Sequence, residues 1–176
     1  MKGTRLVLPV LLVCALGLTL SCGDSTPTGV AAAPKPQADL IGGLLGGTGL
    51  LSCSSLPYDS VTKVIGPAGG SLSVGPHSFF IPPGALSQQT TITMVQPTGQ
   101  HVNVVRFKPA GLQFTNSAYL KMSYANCSLL GWLLPKHIAY VDNNLNILYY
   151  LLSLPNIFNQ TVTGRVNHFS EYALAW

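Results

Sequence analysis

Val61-Thr62-Lys63-Val64-Ile65, Gly66-Pro67-Ala68-Gly69-Gly70, Ser71-Leu72-Ser73-Val74, Gly75-Pro76 and His77-Ser78-Phe79-Phe80-Ile81, ended by Pro82-Pro83, run on without interruption. Three short β-rich runs alternate here with Gly/Pro clusters. Glycine supplies the positive φ a tight turn needs, and proline ends a strand where no ladder donor is required. The stretch therefore predicts three consecutive strands. Downstream, Thr90-Thr91-Ile92-Thr93-Met94-Val95 alternates with Ile92 and Met94 on one face, a strand with one face buried. Val102–Phe107, Tyr119–Tyr124, His137–Val141, Ile147–Leu152, Thr161–Val166 and Phe169–Trp176 continue the series, with Asp142-Asn143-Asn144 as a hairpin tip. Short strands at regular spacing predict an all-β, antiparallel β-sandwich, built as a single domain over residues 53–176.

Composition agrees. Only 8% of the 176 residues are charged, 47% are apolar, and 18 Gly with 13 Pro break the chain often. Long charged helices and coiled coils need far more Glu, Lys, Arg and Ala. The net charge of +4 is small and unclustered, which argues against a nucleic-acid partner.

The N-terminus reads as an export signal over residues 1–21. Lys2 and Arg5 precede an apolar core from Leu6 to Leu18, too short for a membrane span. Thr19-Leu20-Ser21-Cys22-Gly23 resembles the lipobox of bacterial lipoproteins, which implies acylation of Cys22 and a membrane partner through it. Two acyl chains hold a protein on a bilayer stably where one does not. Gly23 after the acylated residue favours the outer membrane, so the expected location is the cell envelope. Residues 22–52 read as a flexible linker, being Pro-broken and polar before the Leu/Gly stretch 40–51. Cys14 leaves with the signal and Cys22 carries lipid, so Cys53 and Cys127 remain. In an oxidising compartment these two are expected to form a disulfide.

Ile65-Gly66-Pro67-Ala68-Gly69-Gly70-Ser71-Leu72, Ile81-Pro82-Pro83-Gly84-Ala85-Leu86 and Thr91-Ile92-Thr93 together resemble the signature of the ZU-five domain. The resemblance covers residues 61–95 and continues more loosely through Phe107–Phe114. It implies a β-sandwich used for protein–protein contacts or as a structural module, not a substrate-processing fold; with the expected anchor this reads as a non-enzymatic role at the envelope, and no cofactor is expected.

One constellation carries possible chemistry. Val166-Asn167-His168-Phe169-Ser170 is similar to the cleavage site of self-processing ZU-five domains. In that reading Ser170 Oγ attacks the Phe169 carbonyl and His168 takes its proton, giving an ester that water hydrolyses. In one flat strand His168 and Ser170 project to the same face. The competing reading makes this the last strand, with Phe169 in the core. A third possibility is a carbohydrate- or envelope-binding patch of Trp132, Tyr149 and Tyr150. The remaining signals are weak. His77, His101, His137 and His168 lack metal-site spacing, and the Gly66–Gly70 turn lacks the Lys-Ser/Thr of a phosphate loop. After Cys53 the acids are Asp59, Asp142 and Glu171, little material for paired-carboxylate hydrolysis of a small substrate. The sequons at Asn126 and Asn159 are expected to be incidental in a bacterial chain.

Overall fold

A computed structural model of the chain describes residues 48–128 and 134–176. The expected signal over residues 1–21, Cys22, the expected linker up to Gly47, and Trp132 lie outside the described residues. The rest is an all-β antiparallel sandwich. Its strands are β1 (Asp59–Ile65), β2 (Gly70–Val74), β3 (His77–Ile81), β4 (Thr90–Gln96), β5 (Val104–Lys108), β6 (Gln113–Ser123), β7 (His137–Val141), β8 (Ile147–Tyr150), β9 (Ser153–Asn156), β10 (Thr161–His168) and β11 (Glu171–Ala175). One sheet has the order β1-β4-β5-β11-β7-β8 and the other β2-β3-β6-β10-β9.

The alternating runs do what their period requires. Leu72, Val74, Phe79, Ile81, Ile92, Met94, Leu120 and Val162 point into the space between the sheets and are buried. Four phenylalanines fill one end of that core. Phe107 and Phe169 stack at 4.8 Å, Phe114 meets Phe169 edge-on at 5.0 Å, and Phe79 lies 4.5 Å from Phe107. Gly69 makes the turn into β2 possible. Its φ is +76°, and a Cβ there would strike the carbonyl oxygen of Ile81.

Several boundaries differ from the sequence reading, among them the start of β6, at Gln113 and not Tyr119. The run Ile147–Leu152 is two edge strands, one per sheet. The chain leaves β8 at Tyr150 and enters β9 at Ser153, where Pro155 is tolerated because an edge strand needs only half its donors. The last strand begins at Glu171, not Phe169. The linker also ends earlier than residue 52, because Leu50 and Leu51 are buried. Leu51 N–H donates to Leu174 O and Trp176 N–H to Gly49 O, so residues 49–51 flank β11 where its pairing with β5 stops. This explains the composition of β11. Tyr172 and Leu174 face the main core, whereas Ala173 and Ala175 face outward beneath Leu50, where only small side chains fit.

Cys53 and Cys127 form the expected disulfide, 74 residues apart in sequence. They sit opposite each other in a one-pair antiparallel bridge, flanked by Ser54 N–H to Asn126 O and Ser128 N–H to Ser52 O. Beside them Asn103 and Asn126 exchange amide hydrogen bonds at 2.8 and 3.0 Å. Asn126 Nδ2 also donates to Ser54 O, and Asn103 Nδ2 to Ser123 O. The disulfide and this amide pair seal the sandwich end where the N-terminal segment arrives. The nitrogen of the first sequon is therefore already engaged.

Candidate functional site

The chain changes sheet between His168 and Glu171. β10 ends at His168 in the five-stranded sheet, β11 starts at Glu171 in the six-stranded sheet, and Phe169-Ser170 is the corner between them. Three of the four backbone groups of Phe169 and Ser170 have a backbone partner. Phe169 N–H donates to Leu112 O at 2.8 Å, Gly111 N–H to Phe169 O at 2.9 Å, and Phe107 N–H to Ser170 O at 3.1 Å. Tyr172 is buried at the start of β11, and its hydroxyl donates back to His168 O at 2.6 Å. A Tyr hydroxyl tied to the backbone a few residues upstream is the tyrosine corner of β-sandwiches. Burial pushes that hydroxyl far above the ordinary tyrosine pKa, so it stays a donor.

This geometry corrects the placement of His168 and Ser170 in one flat strand. A register shift after Val166 turns the end of β10, and the corner turns the chain again before Ser170. The His168 ring stands edge-on against Tyr140 at 5.2 Å and lies 6.3 Å from Tyr172. Tyr140 in turn meets Tyr149 at 5.2 Å, so His168 belongs to an aromatic cluster between β7, β8 and β11. Among the described residues no hydrogen bond joins its imidazole to Ser170. Phe169 lies in the core, as the competing reading has it. The carbonyl that Ser170 would attack accepts the Gly111 N–H, a single backbone donor.

Ser170 does border a surface cleft of about 370 Å³, with Arg106, Lys108, Ala110, Tyr140, Asp142 and Glu171 around it. Glu171 is 7% exposed, and its Oε2 lies 2.9 Å from Arg106 Nε across the β11–β5 pair. The N–H of that nitrogen is not aimed at the oxygen, and Oε1 is buried without a hydrogen-bond partner. An attraction within a paired strand set ties β5 to β11, while the outer part of Arg106 stays in solvent. Asp142 is occupied in capping the β7–β8 hairpin. It accepts N–H groups from Asn144 and Asn146 and the Asn146 amide, which holds its pKa below the usual carboxylate value. No sequence pattern announced this cleft, because its members come from three strands.

The four histidines are dispersed. His77 is buried inside β3, with Nδ1 accepting Ser123 N–H at 3.1 Å and Nε2 unpartnered. Desolvation lowers its pKa to about 4. His101 lies in a loop at φ +50°, and its carbonyl accepts Cys53 N–H. His137 packs edge-on against Tyr150. Among the described residues no three His, Cys, Asp or Glu gather closely enough to hold a metal ion.

The aromatic patch is split. In the β7–β8 pairing Leu148 is an extra residue, so Tyr149 pairs with Tyr140 and Tyr150 with Ala139. Neighbours in a strand face opposite ways, and Tyr149 and Tyr150 cannot form one flat platform. Sequence reasoning also passed over what surrounds them. Leu148, Leu152, Leu154, Ile157 and Phe158 are all exposed, Phe158 at 91%. Compared with known proteins, the chain matches no family model and no curated protein.

Proposed function

We propose that the chain is an exported, lipid-anchored envelope protein whose ZU-five-like sandwich is a non-enzymatic interaction module. The observation that carries this reading is the margin formed by β8, β9 and the turn after β9. Eleven large hydrophobic residues are exposed among the described residues, and seven of them fall between Leu148 and Phe158. β8 and β9 are edge strands of the two sheets, so the seven crowd a single margin of the sandwich. Apolar surface concentrated in this way marks a contact site, whereas scattered exposed hydrophobes need no explanation. The lipobox-like Cys22 and the resemblance over residues 61–95 support the envelope and module parts of the reading. The hydrogen bonds held by Phe169 N–H, Phe169 O and Ser170 O support a structural corner over self-cleavage.

Two measurements test it. Labelled palmitate should enter the wild-type protein and not Cys22→Ser. A photo-crosslinking residue at Leu154 or Phe158 should form adducts with envelope components in intact cells, and one at Val64, on the opposite edge strand, should not. Equal labelling at both edges, or none, overturns the module reading.

A further inference from the structure

The outer face of the five-stranded sheet combines cations with exposed aromatic and leucine side chains. Two rows of side chains cross it in register. In the first, Phe80 stands opposite Tyr119 and Tyr119 opposite Arg165, beside which Arg165 N–H reaches Leu152 O. In the second, Ser78 stands opposite Lys121, Lys121 opposite Thr163, and Thr163 opposite Leu154. Period-two alternation puts these residues on the face away from the core, and Phe80, Tyr119, Lys121, Leu154 and Arg165 are all exposed.

The charges are segregated as well. Asp59, Asp142 and Glu171 are the acids among the described residues, and each belongs to the six-stranded sheet or its hairpin. The five-stranded sheet carries Lys121 and Arg165 and no acid. Arg165 gives one guanidinium nitrogen to Ser117 Oγ at 3.1 Å, and the one ion pair among the described residues, Arg106–Glu171, lies on the other sheet. Cations interleaved with aromatic and leucine side chains, without a neutralising acid, complement a surface that is negative and apolar just beneath. The protruding Ile157 and Phe158 at the turn after β9 extend that apolar margin, and a deformable medium can accommodate such projections without a matching pocket.

We propose that the outer face of the five-stranded sheet lies against an anionic phospholipid surface, with Lys121 and Arg165 at the headgroups and Leu152, Leu154 and Phe158 at the acyl boundary. Binding of this kind adds apolar burial to attraction for anionic lipid, and tyrosine favours the interface itself. The inference rests on the envelope reading above, but it names lipid as the partner of this face. Adducts at Leu154 that were all protein would defeat it and leave the module reading standing.

The test uses the full chain reconstituted in vesicles of phosphatidylethanolamine with phosphatidylglycerol, so that any anchor is common to every variant. Leu154→Trp should show a blue-shifted indole quenched by brominated acyl chains, above the wild-type background, whereas Val64→Trp should not. Replacing phosphatidylglycerol by phosphatidylcholine, or adding Lys121→Ser and Arg165→Ser, should weaken quenching, by roughly fivefold in apparent affinity for each cation removed. Equal quenching at positions 64 and 154, no quenching at 154, or indifference to lipid charge overturns the proposal. So does a blue shift at 154 that appears without vesicles as protein concentration rises, which would assign the face to a second copy.

Discussion

Acidification should loosen this sandwich through His77. The ring is enclosed between the sheets, accepts the Ser123 N–H at Nδ1, and has a pKa lowered by burial from 6.5 to about 4. The folded state thus resists a proton that the unfolded chain accepts readily. Between these two values the unfolded state binds more protons, so stability is whole above pH 6.5 and declines as pH falls. At 1.36 kcal/mol per pKa unit, the loss relative to pH 7 is about 2 kcal/mol at pH 5 and about 3 kcal/mol at pH 4. Urea unfolding followed by circular dichroism measures this directly. For a slope of about 2 kcal/mol per molar, the midpoint should fall by roughly 1 M between pH 7 and pH 5. His77→Asn retains an acceptor for Ser123 but cannot titrate. It should be less stable at pH 7 because it is smaller, yet its midpoint should be nearly flat over the same range. A wild-type midpoint unchanged from pH 7 to pH 5, or an Asn variant that falls as steeply, would refute the reasoning.

Other outcomes follow from the corner and the disulfide. Phe169→Ala removes the ring that stacks on Phe107 and meets Phe114 edge-on, and should cost about 3 to 5 kcal/mol in denaturant unfolding. Tyr172→Phe removes the hydroxyl that donates to the partly buried His168 carbonyl and should cost about 1 to 3 kcal/mol, visible as a lowered midpoint at unchanged slope. Intact-mass spectra of the folded protein should show no cut between Phe169 and Ser170 over days. Fragments that vanish in Ser170→Ala would restore self-cleavage. Replacing Cys53 and Cys127 by serine opens a link spanning 74 residues and should lower stability by about 4 kcal/mol on the chain-entropy account. An equal loss on adding reductant to the wild type checks that figure.

The strands were legible because each alternating run is its own signal. Ile92 and Met94 declare a buried face whatever lies opposite them, and Gly69-Gly70 and Asp142-Asn143-Asn144 declare turns through local backbone preference. β9 was hidden because Ser153-Leu154-Pro155-Asn156 has neither alternation nor β-branching, and it is a strand only because β10 lies beside it. The corner at Phe169-Ser170 was hidden for a related reason. Its residues read as a continuous β run, and the change of sheet depends on hydrogen bonds to Leu112, Gly111 and Phe107.

What the chain determined by itself was periodicity, turn chemistry and cysteine count, and from these the two-layer class and the Cys53–Cys127 link. Only the tertiary structure decided the neighbours. It moved His168 onto Tyr140, tucked Leu50 and Leu51 against β11, and lined up Phe80, Tyr119, Lys121, Arg165 and Leu154 on one uncovered face. Local preferences act over a few residues, whereas a surface in a sandwich is assembled from strands distant in sequence. Its chemistry exists only once register brings them together.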